Sequence, residues 1–124
     1  MPTDARRATG IKGEEEAARF LARCGYAILD KNVRTRAGEI DLVAKEGKTL
    51  VFVEVKTRRE EDSPEASVTP QKQRRLGRLA QHYLKWKRLG EVRCRFDVVA
   101  VTLDAQERVK AIRHLPGAFD VDPW

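Results

Sequence analysis

Glu39, Asp41, Glu54 and Lys56 are residues of the kinds that bind a hard cation and hydrolyse a phosphate ester. They stand on two alternating, β-branched runs within Gly38 to Arg58, on either side of a Glu46-Gly47-Lys48 turn signal. Such runs predict an antiparallel hairpin. Side chains alternate along a strand, so Glu39, Asp41 and Val43 share one face of the first run, and Phe52, Glu54 and Lys56 share one face of the second. An even number of loop residues brings the four charged groups to the same face of the hairpin, and one such register sets Asp41 directly across from Glu54. Two carboxylates at a paired spacing of roughly 5 Å repel by about 3 kcal/mol at an effective dielectric of about 20. That is a large share of the roughly 5–15 kcal/mol that holds a domain together. Lys56 offers one positive charge against three carboxylates, so a divalent cation is expected, and oxygen ligands of this kind suit Mg2+ or Mn2+. The spacing leaves a second reading open, a solvated face on which Glu39 and Lys56 form a weak cross-strand ion pair. Val43 and Phe52 share the phase of the charged residues, so that face is not simply wet.

The wider pattern is Gly10-x-x-Gly13-Glu14-x-x-Ala17, Gly38-Glu39-Ile40-Asp41, Phe52-Val53-Glu54-Val55-Lys56-x-Arg58, Lys72 and Arg95-Phe96-Asp97. An Asp some dozen residues before Glu-Val-Lys, across a hairpin, resembles the core of the PD-(D/E)XK nuclease superfamily, with Ile40 where the superfamily has Pro. Over nearly the whole chain the pattern is similar to the YraN-like bacterial family, itself similar to the archaeal Holliday junction resolvases. The resemblance implies an α/β fold with a restriction-endonuclease-like three-layer core, a mixed central sheet of about five strands flanked by helices. It implies a Mg2+- or Mn2+-dependent endonuclease acting on DNA, including branched DNA such as Holliday junctions. Asp41, Glu54 and the Val55 carbonyl would hold the metal, with Lys56 orienting water or stabilising the transition state. Glu14 and Glu39 would complete the catalytic set, for a second metal or for holding water. A resolvase makes paired cuts, so this reading also implies a homodimer.

The remaining elements must position those groups. Thr9 is placed to cap a helix running to about Cys24, with Gly25 just beyond its end, and residues 1–8 read as frayed. Its apolar stripe is Ala17, Ala18, Leu21 and Cys24. Glu14 falls in line with the stripe, which a role in complementing the helix dipole does not explain, although it does explain Glu15 and Glu16. Tyr26 to Thr35 reads as the first strand, with Lys31 and Arg34 as phosphate contacts. Residues 59–68 read as a long connection. Thr69-Pro70 starts a helix running to about Leu89, stopped by Gly90. Leu76, Leu79, Ala80, Tyr83 and Trp86 form its stripe, so Trp86 is expected in the core. Lys72 shares that stripe, which fits either an acidic pocket or a stem that snorkels to water. Arg93 to Thr102 reads as a buried strand, parallel to an earlier one, with Arg95 and Asp97 as a structural charge pair. Arg108 to Leu115 adds a last strand, and the tail with Phe119 and Trp124 docks on the domain or on a second subunit.

At 124 residues the chain reads as a single domain, 1–124. No apolar run approaches the eighteen or so residues of a membrane span, and no secretory leader is seen, so the expected location is the cytoplasm. Cys24 and Cys94 lack metal-ligand spacing and are expected to be buried and reduced. The net charge of +6 and pI near 9.6 suit a polyanionic partner. Basic residues crowd the chain after the acidic hairpin, and Arg58, Lys72 and Arg75 are the expected nucleic-acid contacts. Two other readings stay open on the residues alone. One is a non-catalytic nucleic-acid-binding module that keeps the fold; the other is a protein-interaction domain whose basic face confers solubility.

Overall fold

The computed structural model describes residues 2–61 and 68–121. Its elements are α1 (Pro2–Arg23), β1 (Ala27–Thr35), β2 (Gly38–Glu46), β3 (Thr49–Arg59), α2 (Pro70–Trp86), β4 (Cys94–Leu103) and β5 (Val109–Phe119). The strands lie in the order of the chain, β1 to β5, in one sheet. Only the β3–β4 joint is parallel, and α2 is the crossover that such a joint requires. The fold is therefore α/β with a mixed five-stranded sheet between two helices, in agreement with the sequence reading.

Each helix covers one face. Ala17, Ala18 and Leu21 of α1 pack on Leu42, Ala44, Val51, Val53, Val99, Val101 and Leu103. Leu76, Leu79, Ala80 and Tyr83 of α2 pack on Ile40, Val43, Leu50, Phe52 and Phe96. The backbone approaches most closely at Gly13, where an added Cβ would stand 2.7 Å from both Thr57 Cβ and Thr57 Cγ2. No side chain fits there, so glycine seats α1 on β3 one residue before Glu14.

The local signals explain most boundaries. Gly25 ends α1 with φ +95°, and its N–H donates to Ala22 O. Gly47, at φ +59°, and Lys48 join β2 to β3 as a two-residue turn. Thr69 Oγ1 accepts from Lys72 N at 3.2 Å, with Pro70 opening α2.

Four expectations are corrected. Thr9 lies inside α1, because Pro2 can open the helix seven residues earlier with its fixed φ and its missing N–H. Cys24 falls past the helix end and is exposed, while Cys94 is half-buried. Trp86 is 65% exposed, on the last turn of α2, where it borders an open groove beside β1. β5 runs on to Phe119 because it is an edge strand, where Pro116 sacrifices no ladder bond.

The tail folds back on its own chain. Phe119 stacks on Phe96 at 5.2 Å between ring centroids, and Val121 fills the space left by Gly77. Trp124 and residues 62–67 of the long connection lie outside the described residues.

Arg95 and Asp97 form more than a pair. Asp97 is fully buried and accepts from Arg95 Nε at 2.8 Å, Arg95 Nη2 at 3.0 Å and Gly117 N at 3.0 Å, with His114 Nε2 at 2.8 Å. Arg95 also donates to Glu46 Oε1 at 2.7 Å and Tyr26 Oη at 2.6 Å, tying β4 to β2 and to the start of β1. Burial alone would raise the Asp97 pKa, but the hydrogen bonds from Arg95, Gly117 and His114 outweigh it and hold the carboxyl below its usual range.

Candidate active site

The β2–β3 ladder runs from Glu46↔Thr49 to Leu42↔Val53. Continued by one step, that register sets Asp41 opposite Glu54, as the sequence suggests. The ladder opens here instead, and Asp41 Oδ2 accepts from Val55 N at 2.8 Å. The pleat also changes phase at this point. Gly38 faces Leu79 and Arg75 of α2, and Ile40 packs with α2, yet Leu42 and Ala44 pack with α1. The expectation that Glu39, Asp41, Glu54 and Lys56 share one face is thus corrected. Glu39 and Asp41 turn towards Glu14 on α1, whereas Glu54 and Lys56 keep the phase of Phe52, on the α2 side.

The groups still meet, because the fork in the ladder lets the two sides approach across it. One carboxylate oxygen from each of Glu14, Glu39 and Asp41 lies within 4.8 Å of the others. Glu14 and Glu54 both lie close enough to Asp41 for the carboxyl groups to perturb one another. Asn32 of β1, at φ +52°, donates its amide to Glu14 Oε1 at 2.8 Å and Glu39 Oε1 at 2.7 Å, in the orientation that gives each carboxylate a donor.

Such crowding is felt in the protonation of the acids. Burial, then the charges of Asp41 and Glu39, push the Glu14 pKa from an ordinary 4.5 to about 7. Burial, then Asp41, push Glu54 to about 7 as well, against the pull of Lys56 and Lys72. Asp41 is raised by burial and restrained by the Val55 N–H and its two neighbouring acids. Near neutral pH the cluster therefore retains protons that exposed carboxylates would have lost.

Of the expected site residues, Glu14, Glu39, Asp41 and Glu54 come together, with Lys56 half-buried beside them. Lys72 is exposed, but its charge acts on Glu54 across the sheet face. Arg75 lies against Gly38, and Arg58 donates to Arg59 O at 3.2 Å. Val55, expected to offer its carbonyl, contacts Asp41 through its amide. Asn32 and Gly13 position the acids without any periodic signal of their own. A polar residue able to adopt positive φ inside a strand was the only mark on Asn32.

The donor set fits a hard divalent cation. It is all oxygen, partly shielded from water, and holds more negative charge than the adjacent lysines offset. Among the described residues Glu14, Glu39 and Asp41 form the group close enough to share an ion, with Glu54 adjoining through Asp41. Asp41, expected as a ligand, and Glu14 and Glu39, expected in supporting places, thus stand in one group. No helix among the described residues is long and apolar enough to cross a membrane.

A model of the uncharacterised protein family UPF0102 matches residues 13–101. The chain is 47% identical over 121 residues to a UPF0102 protein of Syntrophotalea carbinolica, covering 96% of this chain and 97% of the relative. It is 49% identical over 119 residues to one of Moorella thermoacetica, covering 94% and 99%. With one of Geotalea uraniireducens it shares 44% over 117 residues, 93% and 91% of the two chains.

Proposed function

The chain belongs to the uncharacterised protein family UPF0102, and we propose that it is a divalent-metal-dependent endonuclease of the PD-(D/E)XK type that hydrolyses phosphodiester bonds in DNA, branched DNA included. The observation that carries this reading is the fork itself, where Glu14, Glu39, Asp41 and Glu54 converge and retain protons beside Lys56.

Hydrolysis adds water across a P–O bond, so a proton must leave the water and another must reach the departing oxygen. Asp41 and Glu54, with Glu14 and Glu39 beside them, would hold Mg2+ or Mn2+, which when bound would lower the pKa of water and neutralise charge at the phosphate. Glu39, the more open carboxylate, accepts the water proton, and the departing oxygen takes its proton from solvent. Lys56, fixed on β3 two residues beyond Glu54, donates hydrogen bonds to the phosphate oxygens as charge builds on them. Val55 N–H holds Asp41 in one orientation, and Asn32 does the same for Glu14 and Glu39. Lys72, whose charge acts on Glu54, Arg75, which lies against Gly38, and Arg58, two residues beyond Lys56 on β3, are the residues assigned to flanking phosphates.

The test is cleavage of linear, flapped and four-way DNA with and without Mg2+ or Mn2+, by wild type and by Asp41→Asn, Glu54→Gln and Lys56→Ala. Metal-dependent cutting that falls at least a hundredfold in each variant is expected. Cleavage unchanged in all three removes the mechanism. Metal-independent binding with a steep salt dependence and no cutting turns the reading to a non-catalytic DNA-binding module.

A further inference from the structure

A large aromatic at the end of an amphipathic helix is expected to point inward, but Trp86 is 65% exposed. It forms one wall of an open groove of about 420 Å3 between β1 and the second half of α2. That volume falls within the range of roughly 300–1,000 Å3 that holds small organic ligands. The groove is bounded by Lys31, Asn32, Arg34, His82, Tyr83 and Trp86. Its one acidic lining residue, Asp30, accepts from Tyr83 Oη at 2.7 Å and pairs with Lys87 at 3.6 Å. Lys87 in turn lies over the indole, its Nζ 4.3 Å from the ring centroid. Trp86 thus stands largely exposed with Lys87 on one side of its ring and Lys31 and Arg34 on the groove wall. Asn32 links the two places along β1, since it lines the groove and its amide donates to Glu14 and Glu39 of the fork.

We infer that this groove holds an unpaired nucleotide of the DNA strand whose phosphate lies at the fork, its base stacked on Trp86 and its phosphates met by Lys31, Arg34 and Lys87. The inference rests on the phosphodiesterase reading of the fork and narrows it to DNA with a single-stranded segment beside the cut. Bases inside a duplex have both faces covered by neighbours, so only an unpaired base offers its π face to an indole. Cations around the rim favour a polyanion over an apolar peptide, and a lysine held on the indole can serve a phosphate next to a stacked base. Arg34 can reach outward because its pairing with Glu39 is loose, at 3.8 Å.

The experiment measures binding without cleavage, in buffer with EDTA. The chain has two tryptophans, so Trp124→Phe leaves Trp86 as the sole indole emitter. A short oligothymidylate should quench its fluorescence, while a blunt duplex of similar length should not. By anisotropy of the labelled strand, Trp86→Ala should bind about tenfold more weakly, the loss of one stacked base. Trp86→Phe, which keeps a π face, should stay within about threefold. Trp86 is exposed, so melting curves of the two variants should match wild type. Unmoved fluorescence, or equal strand affinity in wild type and Trp86→Ala, overturns the assignment. The two proposals fail separately: a protein that cuts with metal but shows no Trp86 quenching loses the groove, and one that quenches but never cuts loses the hydrolysis.

Discussion

Replacing Glu54 by glutamine should stabilise the metal-free protein at pH 8 and leave it unchanged at pH 4. Glu54 has an ordinary pKa of 4.5 that the folded chain raises to about 7, first through burial and then through Asp41. Below 4.5 the group is protonated whether the chain is folded or not, and it contributes nothing to the pH dependence. Between 4.5 and 7 the unfolded chain sheds its proton first, so folding stability falls as the pH rises. Above 7 the loss is complete and constant. The displacement corresponds to at most about 3 kcal/mol. Glu54 is only partly buried, so solvent screening reduces the expected gain to about 1–2 kcal/mol. For a chain of 124 residues that is a rise in Tm of about 3–8 °C. Thermal melts by circular dichroism in EDTA at pH 4 and pH 8 read it directly. Mn2+ at a hundred times its Kd should then add about 2.7 kcal/mol to the wild type and much less to Glu54→Gln. A variant that is destabilised equally at both pH values, or a wild type whose stability does not fall from pH 4 to pH 8, refutes the idea of excess negative charge at the fork.

Three further outcomes follow from the same structure. Because Glu14 and Glu54 retain protons up to about pH 7, calorimetric Mn2+ affinity should rise by roughly tenfold or more from pH 6 to pH 8, with proton release into the buffer; a pH-independent affinity contradicts it. Gly13→Ala should cost about 1–3 kcal/mol, since its Cβ meets Thr57, and should weaken Mn2+ binding by moving Glu14, whereas an unchanged melt and affinity would mean that α1 is not seated there. Asp97→Asn should cost about 3 kcal/mol in chemical denaturation at pH 7 by unbalancing the buried Arg95 network. In the wild type that contribution is present above the ordinary carboxylate pKa of 3.8 and is lost as the pH falls through the lower folded-state value, so the variant and wild type should converge in acid.

The fold was largely legible because its signals are local. Gly25, the Gly47-Lys48 turn and Thr69-Pro70 each fix a boundary within a few residues, and the Val98 to Val101 run marks a strand covered on both faces. The carboxylates were legible as a set, and their faces were not. Strict two-residue alternation assumes an unbroken ladder, and the chain departs from it between Asp41 and Leu42, where the carboxylates gather. Trp86 was misplaced for a related reason: helical periodicity tells which side of α2 is apolar, but not that an open groove lies opposite its last turn. The roles of Asn32 and Gly13 depend on partners at the far ends of other elements, which no spacing along one strand or helix reveals.

The irregularities at the two outer strands have a consequence for how molecules of this protein meet one another. An outer strand with a free row of amides and carbonyls is a template for further strands and so for aggregation. β1 breaks its register between Ile28 and Asp30 and twists again at Asn32. β5 carries Lys110 and Arg113, then Pro116 and the left-handed Gly117. Among the described residues neither margin offers a long, flat, uncharged rim, so extension of the sheet by a neighbour's backbone is disfavoured on both sides.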